Sequence, residues 1–177
     1  VSNLLYHSVA VGDRVTMSPP FGDVVLDDSG RPVVFVSAGI GITPMAGMLS
    51  HLVAAGSGLN VTVLHADVDE ASWPLRQQAL ADSRALPHGS IHVWFERGPN
   101  CSLPVDGVRQ GLMDLAAVSL AENATYYLCG PVPFMQAVRS SLIDRDVAAH
   151  DIKYEVFGPD LWQGDLATEP IPGAATR

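Results

Sequence analysis

The stretch Val-Val-Phe-Val-Ser-Ala-Gly-Ile-Gly-Ile-Thr-Pro-Met, residues 33–45, decides the fold of this chain. It opens with a mostly apolar run, 33–37, which is typical of a parallel strand buried on both faces. After the glycines, apolar residues recur at helical spacing over 44–55, and Gly56 stands where a helix cap is expected. The stretch therefore predicts a buried strand, a tight glycine turn and a helix in direct succession.

The same alternation continues towards the C-terminus. Further strands are predicted at 60–65, 91–96, 125–129 and 152–157, and further helices over 72–85, 111–118 and 133–146. Five short strands that alternate with helices predict an α/β fold with a doubly wound, five-stranded parallel sheet and right-handed crossovers. Such a sheet binds its ligands at the carboxyl ends of its strands, near the point where the strand order reverses.

The two ends of the chain read differently from this pattern. Residues 14–17 alternate polar and apolar side chains and residues 24–26 are apolar, so each predicts a short strand. We interpret residues 1–30 as the last strands of a truncated antiparallel β-barrel and residues 31–159 as the α/β domain. Residues 160–177, rich in Gly, Pro, Ala and Thr, predict a flexible tail. Because the chain starts without methionine and directly in a patterned segment, we interpret it as a piece of a longer protein.

Composition narrows the class of protein. The 177 residues are 47% hydrophobic, which is enough for a packed core. Lys and Arg total 10 against 19 acids, and a net charge of −9 is a poor match for nucleic acid or an anionic membrane. No apolar run approaches the roughly 20 residues of a membrane helix, and we expect a cytoplasmic protein with neither nucleic-acid nor membrane partners.

Metal and disulfide chemistry are not expected. The 2 cysteines, Cys101 and Cys129, are too few for a disulfide scaffold or a cysteine-ligated metal site. His88 and His92 are separated by Gly89, and Pro87 precedes them, so no helix aligns the two imidazoles for a metal ion. The remaining histidines, His65 among them, are isolated in sequence and are interpreted as surface or core residues.

Residues 39–44, Gly-Ile-Gly-Ile-Thr-Pro, form the first segment that can carry chemistry. Gly39 and Gly41 permit a tight turn and close approach of a ligand to the backbone. The N–H groups and dipole of the helix that follows favour a phosphate. Pro44 stands where a standard dinucleotide fingerprint has its third glycine, and it suits a first helical turn. A turn without a ligand is the alternative, but its place between strand and helix favours pyrophosphate binding.

The second segment is Tyr-Leu-Cys-Gly-Pro-Val-Pro-Phe-Met, residues 127–135. Cys129 ends a predicted strand, and Gly130 and Pro131 turn the chain into a helix. A small polarizable thiol at that place can lie against a flat ring without blocking it. The alternative is that Cys129 is a small buried apolar residue, which is the commoner fate of a free cysteine.

The third segment, Lys-Tyr-Glu-Val-Phe-Gly-Pro, covers residues 153–159. Phe157 can stack on a cofactor ring or belong to the core. Glu155 lies two residues away and shares its face of the strand, which would place a carboxylate near the same ring. A solvated glutamate at the strand end is the alternative.

In this order and spacing, the three segments resemble the ferredoxin–NADP reductase superfamily, and most closely the reductase part of flavohaemoglobins, the bacterial nitric oxide dioxygenases. The resemblance extends from residue 1 to residue 159. It implies that the pyrophosphate of a nicotinamide nucleotide is bound by Gly39, Ile40, Gly41, Ile42, Thr43 and Pro44. It also implies that Cys129, Gly130 and Pro131 border the nicotinamide.

The resemblance further implies an FAD site. Val156, Phe157, Gly158 and Pro159 would border FAD, with Phe157 over the flavin ring. Glu155 would tune the flavin–haem pair electrostatically, and Ser2 would lie at the FAD-pyrophosphate edge. Glu155, Phe157 and Cys129 are thus the candidate catalytic residues, and the expected cofactors are NADH, with FAD in the complete protein.

The activity implied is that of a reductase. NAD(P)H would give hydride to FAD, and electrons would then reach a haem in a globin domain of the same parent chain, where nitric oxide is oxidised to nitrate. The globin and the Arg-x-Tyr-Ser/Thr flavin motif are absent from this sequence, so we expect this piece alone to bind FAD poorly and to be inactive. Two alternatives remain: a reductase component of an oxygenase or other electron-transfer system, and a non-catalytic nucleotide-binding module.

Charge bears on the choice of nucleotide. The adenosine ribose should lie past the second strand, where Asp67, Asp69 and Glu70 stand without a Lys or Arg between them. A 2′-phosphate there would meet like charge, which predicts a preference for NADH over NADPH. Arg76 and Arg97 could support a phosphate if they fold inward.

Overall fold

The computed structural model describes residues 2–19, 22, 24–98 and 105–156. Within them, 6 strands form one parallel sheet. The helices and strands, numbered along the chain, are α1 (Ser2–Ser8), β1 (Val33–Ala38), α2 (Ile42–Ala54), β2 (Asn60–Asp67), α3 (Arg76–Ala85), β3 (His88–Phe95), β4 (Gly107–Gln110), β5 (Thr125–Cys129), α4 (Val132–Ile143) and β6 (Ile152–Glu155).

The order of the strands fixes where the sheet reverses. From β1 the chain proceeds outward through β2, β3 and β4, and it then returns to the other side of β1 with β5 and β6. β1 therefore pairs in parallel with both β2 and β5. The reversal lies at the carboxyl ends of β1 and β5, which is where doubly wound folds bind ligands.

Two apolar clusters cover the two faces of the sheet. On one face, Phe35 and Val63 pack with side chains of α2 and α3 such as Leu49 and Ala79. On the other face, Val36 and Leu64 pack with α4 residues Met135 and Leu142. Alternate residues of β1 and β2 serve opposite clusters, as expected for strands buried on both faces. The predicted α/β class and parallel sheet are confirmed.

The sheet has one strand more than predicted. β4 pairs in parallel with β3, where the sequence indicated only a loop. Its residues, Gly-Val-Arg-Gln, are half-buried or exposed and carry no apolar run because the strand lies at the sheet edge. The helix predicted over 111–118 is reduced to a short 3₁₀ turn, Leu115–Ala117, capped by Asp114, whose Oδ1 accepts the N–H of Ala116 at 2.8 Å.

The segment before β1 also departs from prediction. Residues 2–8 form a short helix, and residues 14–17 and 24–26, predicted as strands, form none. An antiparallel strand needs a neighbour to pair its backbone groups, and no partner strand lies among the described residues before β1. Val24 and Leu26 instead pack against the apolar cluster on the α2 side.

None of the helices in the described part of the chain combines the length and apolarity needed to cross a bilayer.

Candidate functional site

The loops that follow β1 and β5 are in direct contact at the point where the sheet reverses. A Cβ added to Gly41 would lie 2.3 Å from the carbonyl oxygen of Cys129, far inside any normal contact. A Cβ added to Gly130 would lie 3.1 Å from the Cβ of Ala38. These two glycines therefore let the two loop backbones approach each other. The ligand contact expected for Gly41 from the sequence stays a prediction.

Gly39 has the opposite surroundings. Its φ of +53° is a conformation that favours glycine, and a Cβ there would meet nothing within 4 Å. Gly39–Gly41 is a 3₁₀ turn that leads into α2. In that turn, Ile40 is 69% exposed while Ile42 is buried in the core. The open side of Gly39 is thus the part of the loop at which a ligand can approach the backbone.

The first turn of α2 is held by its own side chains. The Thr43 hydroxyl donates a hydrogen bond of 3.0 Å to the carbonyl of Ile40, and Pro44 follows within the first turn. Proline suits this position because the first N–H groups of a helix have no partner within the helix. The predicted strand, turn and helix succession is confirmed here.

A cavity of about 770 Å³ opens at the carboxyl edge of the sheet. The ends of β1 and β2, the residues that follow β3 and β4, and one side of α4 all contribute to it. Its walls include Ala38, Gly39, Asp67, Glu96, Gly111, Leu112, Met113, Asp114, Pro131 and Phe134. Gly39 and Pro131 were singled out from the sequence as ligand-binding residues. The wall from Gly111 to Asp114 was not, because it depends on β4, which the sequence pattern does not reveal.

The charge around this cavity is negative. Asp67, Glu96 and Asp114 line it, and among the described lining residues there is no Lys or Arg. The two arginines considered for a 2′-phosphate are beside acids: Arg76 forms an ion pair with Glu70, and Arg97 Nη1 lies 3.6 Å from Asp69 Oδ2. A 2′-phosphate on the adenosine ribose would therefore be repelled by the nearby carboxylates.

A buried polar chain lies behind the cavity wall at the ends of β1 and β2. Ser37 and His65 are opposite each other in the ladder and both are 0% exposed. Ser37 Oγ lies 2.9 Å from His65 Nδ1, and His65 Nε2 lies 3.5 Å from Asp67 Oδ2. Burial lowers the pKa of His65, an effect only partly offset by Asp67, so the imidazole is neutral at neutral pH.

The contact among Ser37, His65 and Asp67 was not predicted from the sequence, where His65 was interpreted as an isolated residue. Ser37 and His65 are 28 residues apart, and only the register of β1 against β2 brings them together. A sequence signal existed: each polar residue interrupts an otherwise apolar strand close to its carboxyl end.

Cys129 ends β5 as predicted, but its side chain is 1% exposed and packs in the cluster on the α2 side of the sheet. Burial first and Glu155 second raise the pKa of its thiol to about 11. Glu155 is its neighbour in the β5–β6 ladder and is half-buried. The thiol is thus neutral, and the chemistry open to it is that of a small, polarizable, uncharged group.

Several predicted flavin-side residues cannot be placed. Phe157, Gly158 and Pro159 lie outside the described residues, and so does the side chain of Ser2, although its backbone begins α1. Val156 is half-buried and packs beside the cluster on the α4 side. Within the described part of the chain, no group of three His, Cys, Asp or Glu side chains is arranged to hold a metal ion.

Comparison with known proteins adds to this geometry. The family model described as "Oxidoreductase NAD-binding domain" matches residues 35–140. The flavohemoprotein of Bordetella pertussis is 40% identical over 163 residues, which are 89% of this chain and 40% of that protein. The chain therefore spans well under half the length of this relative.

Two solved structures share the fold. One is the "Flavohem-like-FAD/NAD Binding Domain of Nitric Oxide Dioxygenase" from Vibrio cholerae, 37% identical with a TM-score of 0.76, over 90% of this chain and 65% of that one. The other is a flavohemoglobin from Malassezia yamatoensis "with bound FAD and heme", 32% identical with a TM-score of 0.70, over 80% of this chain and 36% of that one.

Proposed function

The chain belongs to the oxidoreductase NAD-binding domain family, and from this premise we propose that it is the NADH-binding part of the reductase in a flavohaemoprotein. The observation that carries the proposal is the cavity of about 770 Å³ at the reversal point of the sheet. Its position and size suit a nucleotide-sized ligand.

The loop between β1 and α2 is proposed to hold the pyrophosphate. The open side of Gly39 faces the space that a ligand would enter, and the backbone from Ile40 to Pro44 leads into the first turn of α2, whose N–H groups favour an anion. This backbone mode of binding matters because the described cavity walls carry carboxylates and no Lys or Arg.

The nicotinamide end is proposed to lie beside Gly130 and Pro131. Pro131 lines the cavity, and Gly130 keeps the turn after β5 close against Ala38. Cys129 would support this turn from within the core rather than touch the ring with a charged thiolate. The residues of this chain would thereby position the nicotinamide for hydride transfer, which needs the reacting atoms in near contact.

FAD and haem belong to the proposal for the longer parent protein. When bound, a flavin accepts hydride from NADH and passes electrons one at a time to a haem. The described part of the segment before β1 forms no strand and no barrel, so it does not build a flavin pocket and we derive no step through FAD. We propose that residues 1–30 belong to the end of the FAD-binding barrel of the parent protein. Residues 156–159 would border its FAD, Glu155 would tune the flavin–haem pair electrostatically, and the parent chain would also contain a globin domain.

The acidic charge of the chain bears on its further partners. The net charge of −9 supports our expectation that neither nucleic acid nor an anionic membrane is a partner. We propose a cytoplasmic location, where NADH is supplied.

Nucleotide titration of the 177-residue chain tests the proposal. Isothermal calorimetry should give tighter binding of NADH than of NADPH, because the 2′-phosphate would approach Asp67, Glu96 and Asp114. Asp67→Asn should weaken NADH binding by roughly tenfold, as expected for loss of a charged hydrogen-bond acceptor, and should weaken NADPH binding less.

Asp28→Asn is the matched control. Asp28 is exposed and precedes the amino end of β1, so the variant makes the same change in net charge on the side of the sheet opposite the cavity. It should bind both nucleotides like the unaltered chain. Equal or tighter binding of NADPH by the unaltered chain would contradict the proposed preference, and binding of neither would contradict the proposed function.

A further inference from the structure

The buried chain of Ser37, His65 and Asp67 leads from the core to the cavity wall. Ser37 Oγ and His65 Nδ1 are 2.9 Å apart, and both side chains are fully buried. The side chain of Asp67 is 6% exposed, and Asp67 lines the cavity. Burying polar groups this deeply costs folding free energy unless they are paired. We therefore expect the three side chains to share a function.

The donor and acceptor atoms of Ser37, His65 and Asp67 can be assigned from their contacts. Asp67 Oδ1 already accepts the N–H of Val68 at 2.7 Å. Asp67 Oδ2 and His65 Nε2 are 3.5 Å apart, and neither has a hydrogen-bond partner in the described structure. Because a carboxylate oxygen only accepts, this contact is favourable when Nε2 carries the proton. Nδ1 is then the acceptor for the Ser37 hydroxyl, at 2.9 Å, while the other acceptor near that hydroxyl, the carbonyl of Leu64, lies farther away at 3.5 Å.

The imidazole is also held in its plane. The ring of Trp73 stacks on His65 with centroids 5.1 Å apart and an interplanar angle of 23°. Trp73 is itself 5% exposed, so the stacking partner cannot easily move away. The ring orientation that aims Nε2 at Asp67 is thus fixed from one side by Ser37 and from its face by Trp73.

We propose that Ser37 and His65 are positioning residues for nucleotide recognition: they form a buried relay that fixes the Asp67 carboxylate for the ribose hydroxyls of the adenosine half of NADH. The relay rests on the proposed function and deepens it, since it makes the choice between a ribose diol and a 2′-phosphate depend on residues that touch neither. A freely rotating carboxylate would discriminate less, because its ordering would have to accompany each binding event.

The proposed relay can be tested by measuring nucleotide selectivity. For the 177-residue chain, we define selectivity as the ratio of the Kd for NADPH to the Kd for NADH. His65→Phe keeps a ring against Trp73 and removes both nitrogens, and Ser37→Ala removes the partner of Nδ1. Each variant should lower selectivity roughly three- to tenfold, in line with the loss of one buried hydrogen bond, mainly by weakening NADH.

A double-mutant cycle distinguishes positioning of the Asp67 carboxylate from a general destabilisation of the fold. In an Asp67→Asn background, His65→Phe should change selectivity no further, because the group that it positions is already altered. Thr125→Val is the matched control: its Oγ1 is also buried without a hydrogen-bond partner, but Thr125 begins β5 at the opposite edge of the sheet. This variant should retain the selectivity of the unaltered chain.

Nuclear magnetic resonance of the unaltered chain tests the relay even if His65→Phe does not fold. Long-range ¹⁵N–¹H spectra should show His65 as the neutral tautomer protonated at Nε2. A proton at Nδ1, or unchanged selectivity in a folded His65→Phe, would overturn the relay while leaving the proposed function intact. Failure of the unaltered chain to bind either nucleotide would instead overturn the proposed function.

Discussion

At the scale of single residues, the two glycines of the turn after β1 have separate purposes. Gly39 has a positive φ and an open side, so it shapes the turn and leaves room for a ligand. Gly41 faces the backbone of Cys129, so it sets the distance between the loops after β1 and β5. One glycine thus makes space and the other removes it, although both occupy the same short motif.

Gly41→Ala should destabilise the chain and weaken NADH binding, because its Cβ would lie 2.3 Å from the Cys129 carbonyl oxygen and 2.8 Å from Gly130 N. Backbone atoms on both sides leave no flexible side chain to yield, and we expect a loss of roughly 1–3 kcal/mol of unfolding free energy. Denaturant unfolding and NADH titration measure the two effects.

Gly47→Ala is the control for this substitution. Gly47 lies within α2, and a Cβ there would meet nothing within 4 Å. Alanine should therefore raise the unfolding free energy by about 0.5–1 kcal/mol, because glycine is a poor residue in a helix interior. Equal stabilities of the two alanine variants would contradict the close contact at Gly41.

The burial of His65 predicts how stability depends on pH. Its pKa in the folded chain lies below the ordinary value of 6.5, so the unfolded chain takes up a proton first as the pH falls. Unfolding free energy should therefore decrease as the pH drops below about 6.5, with a slope of at most about 1.4 kcal/mol per pH unit for this one group. The loss ends once the pH passes below the lowered pKa.

His65→Phe isolates that contribution. His92 is also shifted downward, by burial first and Arg109 second, so the unaltered chain reports both histidines together. Denaturant unfolding at pH 8 and pH 5 should show a smaller pH effect in the variant than in the unaltered chain. An identical pH effect in the two proteins would mean that His65 is protonated in the folded state as easily as in the unfolded one.

At the scale of elements, the segment before β1 is tied to the sheet by polar contacts. The Tyr127 hydroxyl accepts the N–H of Asp27 at 2.7 Å and donates to the carbonyl of Val25 at 3.2 Å. Arg31 donates to Asp151 at 2.6 Å, directly before β6. The segment is thus anchored to β5 and to the residue that precedes β6 without forming a strand itself.

Tyr127→Phe should lower the unfolding free energy by about 1 kcal/mol, because the Asp27 N–H would lose its partner. Tyr126→Phe is the comparison: Tyr126 is also buried but belongs to the cluster on the opposite face. Hydrogen exchange of the Asp27 amide should accelerate in the first variant and not in the second. Unchanged exchange in Tyr127→Phe would show that this contact does not hold the segment.

The sequence could predict those elements whose physics is local. Apolar runs in the sequence predict β1, β2, β3 and β5. The turn at Gly39 lies where the strand pattern ends and the helix pattern begins. The edge strand β4, Gly-Val-Arg-Gln, carries no such run, and it exists because β3 offers an unpaired edge. The strands expected at 14–17 and 24–26 do not form, because a segment with a strand-like pattern needs a neighbouring strand to pair with.

The candidate site could be predicted only in part for the same reason. The loop at Gly39 and the turn at Pro131 each follow from a local pattern, and both line the cavity. The Ser37–His65 contact depends on the register between two strands, which a single sequence does not specify. The wall around Asp114 depends on β4. The parts of the site that were missed are those created by pairing between strands.

At the scale of the whole molecule, the reversal of strand order organises the function. The sheet places β1 between β2 and β5, so the loops that we propose to bind a nucleotide come from strands on both sides of one crevice. The net charge of −9 acquires a local meaning, because three of the acids line that crevice. In this account, backbone groups hold the pyrophosphate, and the carboxylates select against an additional phosphate.

The most direct test is ¹⁵N–¹H correlation spectroscopy of the 177-residue chain during titration with NADH. We expect the amide signals of Gly39, Asp67 and Phe134, which line the cavity, to shift on addition of NADH and to shift less on addition of NADPH. Amides at the opposite edge, such as Ala124 and Val147, should not move. Shifts centred on that opposite edge, or no shifts at millimolar NADH, would contradict the claim that this cavity is the nucleotide site.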